Sequence, residues 1–173
     1  MPLASSLPAL NGLARSAFTD VLGAVFEHSP WVAERAWEGR PFATVAELHA
    51  AMVAVVRRAP TEQQLALLRA HPDLAGKAAR AGTMSADSVA EQASAGLDGL
   101  TDDEYARFHR LNTAYRERFG FPFILAVRRH DTAGVLAAFE RRLGHTREQE
   151  IDTALAQVAE IARLRLEDLV RES

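Results

Sequence analysis

The stretch RAHPDLAGKAA, from Arg69 to Ala79, places a histidine at a point where a helix has to end. Pro72 pushes His71 out of the α region, so the preceding helix ends near Ala70. The imidazole of His71 can then project into a cleft, and imidazole is suited to proton transfer near neutral pH. The alternative is that His71 only caps the last carbonyl groups of that helix, where its charge suits the helix dipole.

A second stretch that could do chemistry is SVAEQ, from Ser88 to Gln92. Ser88 and Glu91 have the spacing of a capping box, in which the serine begins a helix and the glutamate bonds back to it. The same helix start keeps a carboxylate ionised, suited to orienting an imidazole, and its free N–H groups can bind an anion. Glu91 is therefore either a cap alone or the partner of a catalytic histidine.

The third stretch is FGFPFILAV, where a Gly-Phe-Pro turn is followed by apolar residues. Pro122 occupies the favoured first position of a helix, so the sequence predicts a helix over FILAVRR. That helix is either a buried start anchored by Phe121 and Phe123, or it presents main-chain N–H groups at the floor of an apolar pocket.

His130-Asp131 is the only hint of a metal site. Helical metal-dependent hydrolases use a His-Asp pair together with further histidines and aspartates. The six histidines show no H-x-x-x-H spacing, however, and the absence of cysteine excludes thiolate ligands. A metal-dependent hydrolase stays open as one alternative, and a helical interaction module without an active site as another.

Composition restricts the class of protein. The chain has 173 residues, of which 48% are hydrophobic and 25% charged, with a net charge of -3. These values are typical of a globular protein and include no basic field for nucleic acid or an anionic membrane. The sequence contains no signal peptide pattern and no apolar run long enough for a membrane span. We therefore expect a cytoplasmic protein with no nucleic-acid or membrane partner.

Apolar residues recur at helical spacing almost everywhere, and no stretch alternates at period two. The sequence predicts an all-α fold, a single compact domain over residues 1–173 with about eight or nine helices and no sheet. Capping boxes are predicted at Thr44, Thr61, Ser88 and Thr101. Gly120 is expected to end a long helix, Asp73 to cap a helix over LAGKAAR, and Lys77 to be a surface charge.

Taken in order, three segments resemble the OHCU decarboxylase family, which acts on 2-oxo-4-hydroxy-4-carboxy-5-ureidoimidazoline in urate degradation. They are HPDLAGKAA, SVAEQASAGLD and FHRLNTAYRERFGFPFILAV. EHSPWVAERAW and ARLRLEDLV also look like the family, so the resemblance covers essentially the whole chain. The resemblance implies a helical, cofactor-free carboxy-lyase, a homodimer, that converts this small-molecule substrate to S-allantoin and CO2 without a metal.

The resemblance also implies the site residues. His71 matches the family's catalytic acid/base and Glu91 the carboxylate that works with it. The matching substrate-binding residues are Pro72, Ser88, Gln92, Phe123, Ile124, Leu125, Ala126, Val127 and Arg165. The contacts from Phe123 to Val127 are expected largely from the main chain, and Arg163 is close enough to Arg165 to leave the choice of arginine open.

Overall fold

The computed structural model describes residues 5–76 and 81–173. These residues form nine α-helices, α1 to α9, and two short strands. The helices are Leu7–Asn11, Arg15–Leu22, Trp31–Ala36, Val45–Arg58, Thr61–Arg69, Ala86–Ser94, Asp102–Phe119, Thr132–Arg142 and Arg147–Leu169. Single 3-10 turns occupy Trp37–Gly39 and Val127–Arg129. None of the described helices is both long and apolar enough to cross a bilayer.

The prediction of an all-α fold is confirmed, with one small addition. The strands β1, Ser5–Ser6, and β2, Val170–Arg171, pair in parallel, with Ser5 opposite Val170. A strand of two residues cannot show the alternation of polar and apolar side chains by which strands are recognised in a sequence. The hydrophobic pattern therefore could not predict this pairing, which joins residues 5–6 to residues 170–171.

The contacts divide the chain into two compact units. The first unit contains residues Met1–Ala70 and Ala159–Ser173. Its core is built from apolar side chains of α2 to α4 and of the last part of α9. These buried side chains include Phe18, Leu22, Val32, Leu48, Met52 and Leu166. That the whole of residues 1–173 forms one domain stays a prediction.

The second unit is continuous, from His71 to Val158. Its centre is an aromatic cluster around Tyr115 of α7, which is fully buried. The Tyr115 ring contacts Phe119, Phe121, Phe123 and Phe139 with centroid distances between 4.6 and 6.0 Å. The candidate residues of all four predicted segments that could do chemistry, from His71 to Asp131, lie in this unit.

One predicted capping box is present in full and a second in part. At Thr101 the hydroxyl accepts from the Glu104 N–H while the Glu104 carboxylate accepts from the Thr101 N–H, the complete reciprocal arrangement. At Thr44 the hydroxyl also accepts from Glu47, but the Glu47 carboxylate bonds to the N–H of Ala43, one residue earlier. As predicted, α7 ends at Gly120, which adopts the left-handed conformation with φ 81°.

The other two capping predictions are wrong. The N-cap of α5 is Pro60, and Thr61 makes no side-chain cap; the Gln64 side chain donates instead to the carbonyl of Val56. Helix α6 begins at Ala86 with Ser85 as its N-cap, whose hydroxyl accepts from the Ser88 N–H. Because serines stand at both 85 and 88, the pattern S-x-x-E alone selected the later one.

The predicted helix over FILAVRR is also wrong. Residues 121–126 have no regular secondary structure, and only Val127–Arg129 form a 3-10 turn. All residues from 121 to 127 are buried. Side chains of other helices bind the main chain of this stretch in place of helix hydrogen bonds, because the Ile124 carbonyl accepts from Arg142 and the Ala126 N–H donates to Gln157. The predicted helix over LAGKAAR falls mainly on residues 77–80, including Lys77, which lie outside the described residues.

Candidate active site

His71 begins the segment His71–Gly76, called here the HPDLAG loop. Helix α5 ends at Arg69 with Ala70 as its C-cap, as the His-Pro pair predicts. The side chain of His71 is not on the surface, because only 7% of the residue is exposed. A buried imidazole held at a helix end meets the first requirement for a positioned proton-transfer group.

The HPDLAG loop is tightly wound. Ala75 has φ 51°, a left-handed conformation that is unfavourable for any residue with a β-carbon. A β-carbon added to Gly76 would lie 2.7 Å from the β-carbon of Asp73, so only glycine fits there. Such strain persists when surrounding contacts impose it, and it concentrates at functional sites.

Gln92 of α6 holds the loop through both ends of its amide. Its Oε1 accepts from the main-chain N–H of Ala75 at 2.9 Å, and its Nε2 donates to the carbonyl of Asp73 at 3.2 Å. The Gln92 side chain is buried, with 4% of the residue exposed. The structure therefore brings the predicted SVAEQ segment against the predicted histidine loop, with Gln92 as the contact.

Ser88, Glu91 and Gln92 lie on one face of α6, because residues three and four apart on a helix are neighbours. Ser88 is buried and Glu91 is half-buried. Since Ser85 is the cap, neither Ser88 nor Glu91 performs the capping role that was the alternative interpretation of this segment. Helix α6 also packs against the 3-10 turn that begins at Val127.

Asn112 of α7 contacts the same loop and was missed as a site residue. Its Nδ2 donates to the carbonyl of Leu74 at 2.9 Å. Asn112 stands in the L-N pair of the third motif, and a polar residue on an otherwise apolar helix face was the available sign. Beside it, Arg116 pairs with the carboxylate of Asp73 at 2.8 Å. Asp73 thus binds an arginine, while the helix that it was expected to cap lies mainly outside the described residues.

Two cavities border the loop. One of about 300 Å³ is lined by Pro72, Asp73, Gly76, His109, Asn112, Thr113 and Arg116. The other, of about 170 Å³, is lined by Ala75, Met84, Val89, Gln92, Leu97, Asp98, Leu100 and Tyr105. Pro72 and Gln92, both predicted to bind substrate, therefore line open space next to the loop.

The segment Phe121–Val127, called here the FPFILAV segment, is held through its main chain. The carbonyl of Ile124 accepts from Arg142 of α8 at 2.6 Å, and the N–H of Ala126 donates to Gln157 of α9 at 3.0 Å. These two main-chain groups are therefore already bound within the protein. Any contact between this segment and a substrate must therefore be made by its remaining groups.

Arg142 belongs to a buried charged network that supports the FPFILAV segment. Its guanidinium donates to both carboxylate oxygens of Glu150, at 2.8 to 3.1 Å. The Tyr115 hydroxyl also donates to Glu150, and the His145 ring contacts it at 2.9 Å. Arg142 also lies over the Phe123 ring at 4.3 Å, a cation–π contact. The network is a structural support that the sequence did not reveal.

The pKa values of this network follow from its burial and pairing. Burial raises the pKa of Glu150, but the hydrogen bonds from Arg142 and Tyr115 outweigh it and hold that pKa below its usual value. Burial, followed by the hydrogen bond to Glu150, raises the pKa of Tyr115 well above its usual range. Glu150 is thus ionised and Tyr115 neutral around neutral pH.

Arg165 lies in the first unit and is also buried. Its Nη2 donates to Glu27 at 2.9 Å, and its Nη1 donates to the carbonyls of Ala24 and Val25. Arg163 instead pairs with Glu160 and Glu167 on its own helix and is 32% exposed in its side chain. The choice between Arg165 and Arg163 as a substrate-binding residue therefore stays a prediction.

The alternative metal site gains no support. The Asp131 carboxylate accepts from the N–H of Gly134, so Asp131 is the N-cap of α8. Within residues 5–76 and 81–173, no three His, Asp or Glu side chains are grouped so that they could hold a metal ion. The His130-Asp131 pair is therefore a helix start within a polar loop.

Comparison with known proteins agrees with the three motifs. The family model described as OHCU decarboxylase matches residues 11–167. The chain belongs to the OHCU decarboxylase family. Its members are carboxy-lyases, and the 2-oxo-4-hydroxy-4-carboxy-5-ureidoimidazoline decarboxylase of Haloferax volcanii is 50% identical over 93% of this chain and 94% of that protein. The corresponding protein of Halalkalicoccus jeotgali is 46% identical over 92% and 89%.

A solved structure has the same fold. The chain superimposes on a crystal structure of (S)-allantoin synthase with a TM-score of 0.76 and 37% sequence identity, over 96% of this chain. The match covers 54% of the solved chain, so this chain spans about half of its length. The family assignment thus has support from sequence and from fold.

Proposed function

We propose that the chain decarboxylates 2-oxo-4-hydroxy-4-carboxy-5-ureidoimidazoline to S-allantoin and CO2, with His71 as the acid/base and without a cofactor. The observation that supports this most is the contact between Gln92 and the HPDLAG loop. It brings two segments predicted separately to one place, 17 residues apart in the chain.

The substrate supplies its own electron sink. The bond from C4 to the carboxylate breaks and CO2 leaves, while its electron pair forms a C4–C5 double bond. The C5=N electrons move to that nitrogen, which takes up a proton. The 4-hydroxyl then loses its proton, C4 becomes a carbonyl, and C5 gains a proton. Delivery of that proton to one face of C5 determines the S configuration.

We assign the proton transfers to His71. A positioned imidazole typically contributes about 10²–10⁴-fold to such a step. Glu91 orients the imidazole and stabilises its protonated, positively charged form. The other predicted residues bind: Gln92, Ser88 and Pro72 at the ureido group and ring, and the segment Phe123–Val127 along the heterocycle. By resemblance to the family, Arg165 is assigned to the departing carboxylate.

The decisive experiment generates the substrate from urate with uricase and the intervening hydrolase. The appearance of S-allantoin is followed by circular dichroism. The protein should accelerate it, and His71→Asn should lose at least about 10²-fold of that acceleration, the low end of general acid–base catalysis. His130→Asn serves as the matched control and should keep full rate. Full activity of His71→Asn would overturn the assignment.

Glu91→Ala separates a catalytic role from a helix cap. Because Ser85 caps α6, the variant should lose activity with little change in the free energy of unfolding. The control is Thr101→Ala, which removes a real capping box and should cost about 0.5–2 kcal/mol of stability at unchanged kcat. If Glu91→Ala lost stability but kept a normal kcat, Glu91 would have a structural role and the catalytic assignment would be wrong.

We further propose that the chain is a cytoplasmic homodimer. Family resemblance supports this assignment. Sedimentation equilibrium should give twice the 18.9 kDa chain mass, and activity should survive dialysis against a chelator. A monomer, or activity that depends on an added metal, would contradict the respective part.

A further inference from the structure

We propose that Asn112 is a positioning residue for His71, acting through the main chain of the HPDLAG loop. The proposal rests on the proposed catalytic role of His71. It assigns a function to a side chain that the chemistry of the reaction does not call for.

Two neutral amides hold three consecutive residues of the loop. Gln92 binds the carbonyl of Asp73 and the N–H of Ala75. Asn112, from a different helix, binds the carbonyl of Leu74 between them at 2.9 Å. The loop is thus fixed from α6 and from α7 at adjacent peptide groups, immediately after His71-Pro72.

The loop needs to be held because it is strained. Ala75 has φ 51°, and an alanine in this region costs of order 1 kcal/mol or more unless its surroundings impose the conformation. Gln92 bonds to Ala75 itself, and Asn112 bonds to the residue before it. Without the Asn112 hydrogen bond, the Leu74–Ala75 peptide is held only at its N–H, by Gln92, so it can rotate toward a relaxed conformation and His71 moves with it.

Asn112 is poorly explained as a device for stability alone. It is 4% exposed, and its Oδ1 is buried without a hydrogen-bond partner among the described residues. A buried acceptor without a partner is costly, whereas a leucine of similar size would carry no such group. What asparagine offers here and leucine lacks is the one donor to Leu74.

The kinetic test compares Asn112→Leu with Asn11→Leu. Asn11 is a matched control, because its amide also binds the main chain, donating to the Phe42 carbonyl and accepting from the Phe42 N–H, but in the first unit. Asn112→Leu should lower kcat about 10–100-fold, as expected for a misplaced catalytic group, with a much smaller change in KM. Asn11→Leu should leave kcat unchanged. Equal kcat in the two variants would overturn the proposal.

Rescue supplies a second readout that a merely structural role would not give. Glycine adopts φ near +50° without strain, so Ala75→Gly removes the need to force the loop. In the Asn112→Leu background, Ala75→Gly should restore a large part of the lost kcat. If the double variant is no faster than Asn112→Leu, strain at Ala75 is not what Asn112 controls.

A third measurement does not depend on turnover. The imidazole nitrogens of His71 are observed by long-range proton–nitrogen NMR and assigned by their absence in His71→Asn. In Asn112→Leu the His71 resonances should shift or broaden, while in Asn11→Leu they should stay in place. Unchanged His71 resonances in Asn112→Leu would refute positioning. If the wild type lacks the decarboxylase activity but the resonances move, the proposed function fails and the positioning role stands.

Discussion

The HPDLAG loop and the FPFILAV segment both lie in the second unit and both carry predicted site residues, yet they are held differently. Two neutral amides, Gln92 and Asn112, hold the first. The second is held by a charged group, Arg142, whose partner Glu150 is fully buried. The main chain of the first segment is thus fixed by groups that do not titrate, whereas the second depends on a buried ion pair as well as on the neutral amide of Gln157.

This difference matters for a histidine that exchanges protons. Because the amides of Gln92 and Asn112 keep the same charge at every pH, the hydrogen bonds that they make to the main chain of the HPDLAG loop do not depend on pH. The proposed role of the FPFILAV segment is to bind substrate, so its support can be ionic without interfering with proton transfer. The comparison predicts that the charged support governs stability and the neutral support governs kcat.

The largest effect is expected from Glu150→Gln. The substitution leaves the guanidinium of Arg142 buried without its counter-charge, which should cost about 3–5 kcal/mol of unfolding free energy in urea. The control, Glu140→Gln, removes an exposed pair with Arg107 and should cost no more than about 1 kcal/mol. Similar losses in both variants would remove the distinction between the two kinds of support.

The same network predicts that the free energy of unfolding depends on pH. The loss at low pH should not exceed the loss expected for Glu150→Gln. The pKa of Glu150 is lower in the folded protein, so its contribution is present above the ordinary value of 4.5 and is lost as the pH falls below it. The pKa of Tyr115 is raised, so its contribution is lost above about pH 10. Urea titrations at several pH values should show both declines. If Glu150→Gln loses stability at acid pH as the wild type does, other carboxyl groups cause that loss.

A smaller effect on stability is expected at Gly120, which directly precedes the FPFILAV segment. Gly120 ends α7 with φ 81°, and a β-carbon there would meet no atom within 4 Å. Gly120→Ala should therefore cost only the conformational strain, about 1–2 kcal/mol. Thermal unfolding measures this, and Gly12→Ala, at a helix end with φ -87°, is the control that should lose less. A neutral Gly120→Ala would show that the chain tolerates strain at this point.

The smallest effect, and one of opposite sign, is expected from Ala75→Gly alone. Relief of the left-handed strain at φ 51° outweighs the extra freedom of glycine in the unfolded chain, so stability should rise by roughly 0.5–1 kcal/mol. Chemical denaturation of the single variant measures it. A loss of stability would indicate that the loop does not hold Ala75 against its preference.

Local rules predicted much of this fold and site. The helices came from spacing, the end of α5 from Pro72, and the end of α7 from Gly120, because each depends on a few adjacent residues. Resemblance to the family predicted that the SVAEQ segment and the HPDLAG loop both carry site residues, and the structure shows the two in contact. Where two local rules competed, the prediction was wrong: Ser85 rather than Ser88 caps α6, and Pro122 begins no helix.

The remaining features depend on residues distant in the chain. Asn112 looks like an ordinary polar position until Leu74 is placed beside it. Arg142 looks like a surface arginine of an R-R pair until Glu150 and the Ile124 carbonyl are brought to it. No periodicity within a helix specifies such partners, because tertiary packing alone brings them together.

The first unit is assembled from both ends of the chain, and this has a consequence for synthesis from the N-terminus. Residues 71–158 contain all the described partners of the HPDLAG loop and the FPFILAV segment, so the second unit has its internal contacts once Val158 has been made. The first unit also needs residues 159–173, because Glu27 meets Arg165 and β1 meets β2 only after those residues have been made. We therefore expect nascent chains stopped before Ala159 to be protease-sensitive first at the end that was made earliest.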